Sequence, residues 1–287
     1  MFVLPVNQLL QRLARQQAVL VTVHAHRGSV PREAGAWMAV FADCTLGSIG
    51  GGHLEWQAIA AARVQLEQPA PRLALPGLVR YALGPSLGQC CGGEVHLCFE
   101  MLSAADVPML RQRFVAQQQR WPQVAVFGGG HVGSALVNIL GSLPLQVLWV
   151  DSRDGIFPET VPDNVQFEHS DPVQAAVNTL APGTQVLIMS FSHAEDLELV
   201  AACLARQRAQ ADLGMIGLIG SKTKWVTFRQ RLTARGFGAQ EFAQVTCPLG
   251  LPGIVGKAPP VIAVAVAAQL LLALPVVAHN SNIGESK

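Results

Sequence analysis

Two cysteines side by side, Cys90 and Cys91, stand in the stretch LGQCCGGEVHLC, residues 87 to 98. A deprotonated thiol is a soft metal ligand and a carrier of sulfur chemistry. Glycines on both sides of the pair describe a loop, from which either sulfur can approach a metal-bearing cofactor better than from opposite faces of a strand. The competing reading for each is a small buried hydrophobe, and spacing alone leaves both open. The remaining cysteines, Cys44, Cys98, Cys203 and Cys247, read as buried thiols. With no C-x-x-C pair and no H-E-x-x-H among His24, His26, His53 and His96, neither a structural zinc site nor a zinc hydrolase is supported.

Groups suited to an anion lie in the same half of the chain. HRGSVPR carries Arg27 and Arg32, whose planar guanidiniums match phosphate or carboxylate through paired hydrogen bonds. Gly50, Gly51 and Gly52 precede a good helix pattern from about Leu54, so a tight turn there is placed to present backbone amides. For Arg80 and Lys257 a solvated cation is the favoured reading and an anion contact the alternative. Further on, GLIGSKTK sets Ser221, Lys222, Thr223 and Lys224 at a helix start without the spacing of a P-loop, which leaves anion contact and plain capping as equal readings.

A second chemistry belongs to the other half. Gly128, Gly130 and Gly133 have the spacing of a dinucleotide fingerprint and follow the apolar run Val124 to Phe127. Small residues there permit the turn, the approach of a pyrophosphate and close helix packing. Asp151 closes the next hydrophobic run, where a carboxylate accepts ribose hydroxyl bonds. NAD or another nucleotide is therefore a candidate ligand, and a fold retained for assembly is the alternative. His131 within the turn and His193 at a strand exit are unassigned, because no motif names a hydride acceptor or a scissile bond.

These groups need two scaffolds. In the first, AVLVTVHAH, WMAVF and EVHLCFEML read as strands around punctuated loops, with helices near residues 5–16, from 54, and at 107–119. In the second, strand, glycine turn, helix and strand repeat from Pro122 through TQVLIMSF, LGMIGLIG and the helix patterns between them, which is the signature of an open α/β sheet. We expect an amino-terminal domain over residues 1–110, a Rossmann-like domain over 121–240 and a segment 241–287 packing on either one. At 287 residues, 50% apolar and a formal charge of +1, the chain suits two hydrophobic cores and lacks the basic field of a nucleic-acid binder. Gln269, Pro275 and the abundant alanines make Val261 to Val277 a buried helix rather than a membrane span. The amino terminus lacks an export signal, so a soluble cytoplasmic protein is expected.

The ordered set HRGSVPREAGAWMAV, LGSIGGGHLEWQA, LGPSLGQCCGG, VAVFGGGHVGSAL, VLWVDSRDGIFP, GLIGSKTK and CPLGLPGIVGKAPPVIAVAVAAQLL resembles the XdhC and CoxI accessory-protein family over nearly the whole chain. The resemblance implies an α/β protein with an amino-terminal accessory domain and a Rossmann-like open parallel-sheet domain. It implies a chaperone of the molybdenum cofactor, a molybdopterin, that assists formation and insertion of the sulfurated form and has no independent turnover. Partners implied are xanthine dehydrogenase and a cysteine desulfurase, with a homodimer as the expected assembly and no stable membrane insertion. On that resemblance the GQCCGG motif makes Cys90 or Cys91 the thiol nearest the metal, while Arg27, Arg32 and Gly50 to Gly52 hold the anionic pterin. The alternatives are an NAD-dependent oxidoreductase and a noncatalytic assembly scaffold.

Overall fold

The computed structural model describes residues 6–67, 77–83 and 93–274. The chain forms two compact units, one running to Val115 and the other from Ala116 to Pro275.

The first unit is built on a five-stranded antiparallel sheet. Its elements are α1 (Val6–Leu13), β1 (Ala18–Arg27), β2 (Trp37–Val40), β3 (Thr45–Gly47), α2 (Gly52–Glu67), β4 (Gly77–Ala82), β5 (Glu94–Leu102) and α3 (Val107–Gln118). The strand order is β3-β2-β1-β5-β4. Both faces of β1 are covered, so its first six residues are all buried, and the twofold side-chain period divides them between two cores. Val19, Val21 and Val23 meet Leu54, Ala58 and Ala62, which recur every fourth residue along α2. Ala18 and Leu20 join Leu9, Leu13, Leu110 and Phe114 from α1 and α3 on the other face. A bulge between Val23 and Ala25 shifts the β1–β5 register, after which Arg27 stands opposite Glu94.

The second unit contains a six-stranded, all-parallel sheet in the order β11-β10-β9-β6-β7-β8. Its elements are β6 (Gln123–Phe127), α4 (His131–Leu140), β7 (Gln146–Asp151), β8 (Val165–His169), β9 (Gln185–Ile188), α5 (His193–Gln210), β10 (Ile216–Leu218), α6 (Lys222–Thr233), α7 (Ala239–Phe242), β11 (Val245–Thr246) and α8 (Pro259–Ala273). Helices on both faces explain why β6 and β9 are continuous apolar runs rather than alternating ones. Ala125 and Phe127 face the side built by α5 and α6, and Val124 and Val126 face α4 and α8. Residues 241–274 thus belong to this unit, adding β11 to the sheet and α8 to its core. Pro259 sits in the first turn of α8, where its missing N–H costs no intrahelical bond. Among the described residues no helix is long and apolar enough to cross a membrane.

Candidate functional site

In the antiparallel unit, the HRGSVPR loop meets both the glycine turn and Gly93. The loop after β1 turns at Gly28, whose φ of 74° suits glycine. Its backbone then lies against Gly93, the last residue of GQCCGG. A Cβ at Gly93 would stand 2.2 Å from the Ser29 carbonyl oxygen and 3.0 Å from that of Arg27. Further along the same loop, Pro31 lies over the glycine turn, so a Cβ on Gly50 would be 2.4 Å from Pro31 Cβ and 3.4 Å from Arg32 Cγ. Cys90 and Cys91 lie outside the described residues, but the glycine two positions beyond Cys91 is fixed beneath the arginine loop. Arg27 is exposed, and the Arg32 side chain is about one third exposed beside Glu33 at 3.7 Å.

The glycine turn is organised by a residue that spacing did not single out. Glu55 Oε2 accepts bonds from Ser48 Oγ (2.6 Å), Ile49 N–H (3.0 Å) and Gly51 N–H (3.0 Å), and Gly50 N–H donates to Ser48 Oγ (3.1 Å). Three amides of the turn therefore point inward. Gly50, Gly51 and Gly52 all have positive φ, which lets the chain wrap around the carboxylate and enter α2 at once. A glutamate in the first turn of a helix, beside a serine just ahead of the glycines, was the available signal.

A charged cluster stands where β5 begins. Glu94 pairs with Arg80 of β4 and with His96 Nε2 at 2.6 Å. The hydrogen bond from Arg80, reinforced by that from His96, holds the Glu94 carboxyl down to about 2. Arg80 is thus the cross-strand partner of a residue adjoining the cysteine stretch. Among the described residues no group of three or more histidine, cysteine or acidic side chains is disposed to hold a metal ion.

The parallel unit places its fingerprint as the spacing requires. Gly128, Gly130 and Asp151 follow or end β6 and β7, and α4 starts at His131, which is exposed. Gly133 is needed for close packing, because a Cβ there would be 1.9 Å from the Gly128 carbonyl oxygen. At Gly128, with φ 130°, a Cβ would strike the Met189 carbonyl oxygen at 2.0 Å, so the turns after β6 and β9 touch. Asp151 is buried, with 2% of its surface exposed. Its Oδ2 accepts from Gly129 N–H (2.5 Å) and Arg153 Nη2 (2.9 Å), while Oδ1 accepts from Arg153 N–H (2.8 Å) and Nε (2.9 Å). Burial pushes this carboxyl up, but the bonds from Arg153 and Gly129 outweigh it and hold it below its ordinary value.

At the same sheet edge Ser221 caps α6, its Oγ accepting from Lys224 N–H. Lys224 is paired within the fold, its Nζ donating to Asp196 Oδ2 (2.5 Å) and to the Ile219 carbonyl (2.9 Å). Asp196 Oδ1 takes Ser190 N–H and Oγ at 2.9 and 2.7 Å, which ties the starts of α5 and α6 together across the strand ends. His193 is an exposed residue in the first turn of α5.

Comparison with known proteins agrees with both scaffolds. A family model described as the XdhC Rossmann domain matches residues 124–270, and one described as the XdhC and CoxI family matches residues 12–82. YqeB of Escherichia coli K12, an uncharacterized protein, is 26% identical over 247 residues, which are 85% of this chain and 41% of that protein. The chain therefore spans about two fifths of that relative's length. A solved structure from Bacillus halodurans described as a xanthine dehydrogenase superposes with a TM-score of 0.71 at 20% identity, over 93% of this chain and 94% of that one, a likeness of fold. With one model spanning the parallel-sheet unit and the other the strands and loops that carry Arg27, Arg32 and the triple glycine, the chain belongs to the XdhC and CoxI family.

Proposed function

We propose that the chain is a custodian of the molybdenum cofactor that assists its sulfuration and its insertion into xanthine dehydrogenase, without turnover of its own. Family membership supports the accessory role. The observation that carries the cofactor reading is the packing of the arginine loop on Gly93, which brings HRGSVPR against the last residue of GQCCGG. A molybdopterin guest presents a phosphate and a metal bound through sulfur. Guanidinium groups suit the first, and a thiol of Cys90 or Cys91 suits the second. Custody also requires reversible binding, so a few soft and electrostatic contacts serve better than a closed metal cage. A cysteine desulfurase is the proposed sulfur donor, and two copies of the chain are the proposed assembly.

The test is anaerobic purification of the full chain, followed by metal and pterin analysis, with Cys90→Ala and Cys91→Ala prepared separately. The native chain is expected to retain molybdopterin and to activate apo xanthine dehydrogenase, and one cysteine variant is expected to lose both abilities. Retention unchanged in both variants would remove the thiol contact. A native chain that binds dehydrogenase and desulfurase yet never holds the cofactor would be a scaffold.

A further inference from the structure

The parallel sheet reverses direction of growth between β6 and β9, and the crevice outside those strand ends is where such a fold ordinarily takes a dinucleotide. NAD is held there partly by a carboxylate at the end of the second strand, which accepts hydrogen bonds from the ribose hydroxyls. Asp151 occupies that position but does not fit the task. An ionised carboxylate has about four lone-pair sites, and Asp151 receives four donors from its own chain: Gly129 N–H, Arg153 N–H, Arg153 Nε and Arg153 Nη2. Its charge is neutralised by the same guanidinium, and the side chain is almost fully enclosed.

Arg153 is itself pinned from the opposite side of the crevice. Its guanidinium carbon lies 4.6 Å from the ring centre of Phe191, in the turn after β9. Beside it, Ser152 Oγ donates to Glu195 Oε1 at 2.6 Å, and Phe191 N–H donates to Glu195 Oε2 at 3.2 Å. The segment after β7 and the segment after β9 are therefore joined by a stack and by a shared carboxylate, on either side of the Gly128–Gly130 turn. A ribose would have to displace a bidentate ion pair to reach Asp151.

We infer that Arg153 is an internal occupant of the ribose subsite, so that this Rossmann-type crevice refuses NAD and its fingerprint carboxylate serves to fix the glycine turn. The inference is independent of cofactor custody by the antiparallel unit, because a chain that holds molybdopterin and one that does not are equally able to fail or pass a nucleotide titration.

The experiment titrates the full chain with NAD, NADP and ADP-ribose by calorimetry, in native form and as Arg153→Ala, Arg153→Lys and Arg153→Ala/Asp151→Asn. The native chain is expected to show no saturable binding up to about 1 mM ligand. Arg153→Ala strips two donors from Asp151 and is expected to gain NAD and ADP-ribose affinity by about tenfold or more, with the gain abolished by adding Asp151→Asn. Native binding of NAD in the micromolar range would overturn the inference, whether or not the alanine variant folds. So would a folded Arg153→Ala or Arg153→Lys with no gain, or native NADP binding that Arg153→Ala removes, which would make the arginine a phosphate contact.

Discussion

Gly93→Ala tests the contact on which the antiparallel-unit site depends. The added methyl would lie 2.2 Å from the Ser29 carbonyl oxygen and 3.0 Å from both the Ser29 carbonyl carbon and the Arg27 carbonyl oxygen. The neighbours are backbone on a loop that continues β1, so no side-chain rotation relieves the overlap. Gly93 O also accepts Leu83 N–H at 2.7 Å, which prevents the glycine from backing away without breaking a bond at the β4–β5 end. Overpacking of this kind costs about 1–3 kcal/mol, and for a unit of this size each kcal/mol lowers the melting temperature by about 4–8 °C. Gly77→Ala is the control, since nothing lies within 4 Å of a Cβ there. The assay is denaturant unfolding with amide exchange at Leu83, alongside cofactor retention. Expected are loss of exchange protection at Leu83 and weaker retention in Gly93→Ala, with Gly77→Ala like the native chain. A Gly93→Ala protein within about 0.5 kcal/mol of native stability, the usual range for a neutral surface change, and with Leu83 still protected would show that the loop does not rest on Gly93.

The Glu94 cluster gives a pH prediction of definite sign. A carboxyl held at about 2 instead of its ordinary 4.5 contributes stability that is fully present above 4.5 and is lost as pH falls through about 2. Carbon-detected NMR of the Glu94 carboxyl should show its midpoint near the lower value, whereas a midpoint near 4.5 would mean that Arg80 and His96 do not hold it in solution. The thiols give another. Burial pushes Cys203 up to about 12 and raises Cys44, Cys98 and Cys247 as well. Iodoacetamide followed by peptide mass spectrometry at mildly alkaline pH should leave Cys203 unlabelled until the chain is denatured, and early labelling of that residue would contradict its place in the core.

Much of the scaffold was legible because the patterns were strong. The apolar run Val124 to Phe127 followed by glycines placed β6 and the start of α4, and the alternation in EVHLCFEML placed β5. The helix start at GLIGSKTK was readable too, although its residue types left capping and anion contact as equal readings for Ser221, which caps α6. Less legible was the end of the parallel unit, since the two-residue β11 is too short to show a period and α8 is apolar on nearly every side, so neither announces which sheet it joins. Lys224 illustrates a different limit. Its neighbours in sequence describe a solvated helix start, but its partner, Asp196, arrives from another helix, and no local pattern encodes a pairing across twenty-eight positions.

Both glycine-rich turns share a physical feature that composition concealed. A run of glycines at a helix entrance supplies amide donors, and from sequence those donors are available to any anion. In this chain each run meets an internal carboxylate first: Glu55 takes Ile49 and Gly51, and Asp151 takes Gly129. The carboxylate lies four residues downstream in one case and at the end of the neighbouring strand in the other, so only the folded backbone shows that the donors are consumed. The consequence for an anionic guest is specific. With these amides committed, attraction for such a guest falls to side chains, and on the reading proposed above these are Arg27, at the end of β1, and Arg32, whose Cγ lies near Gly50. A guest held by guanidiniums on a loop can be released by a modest loop movement, whereas one held by a ring of backbone amides could leave only by unmaking the turn, so the proposed custody role, which requires handover, calls for the first arrangement.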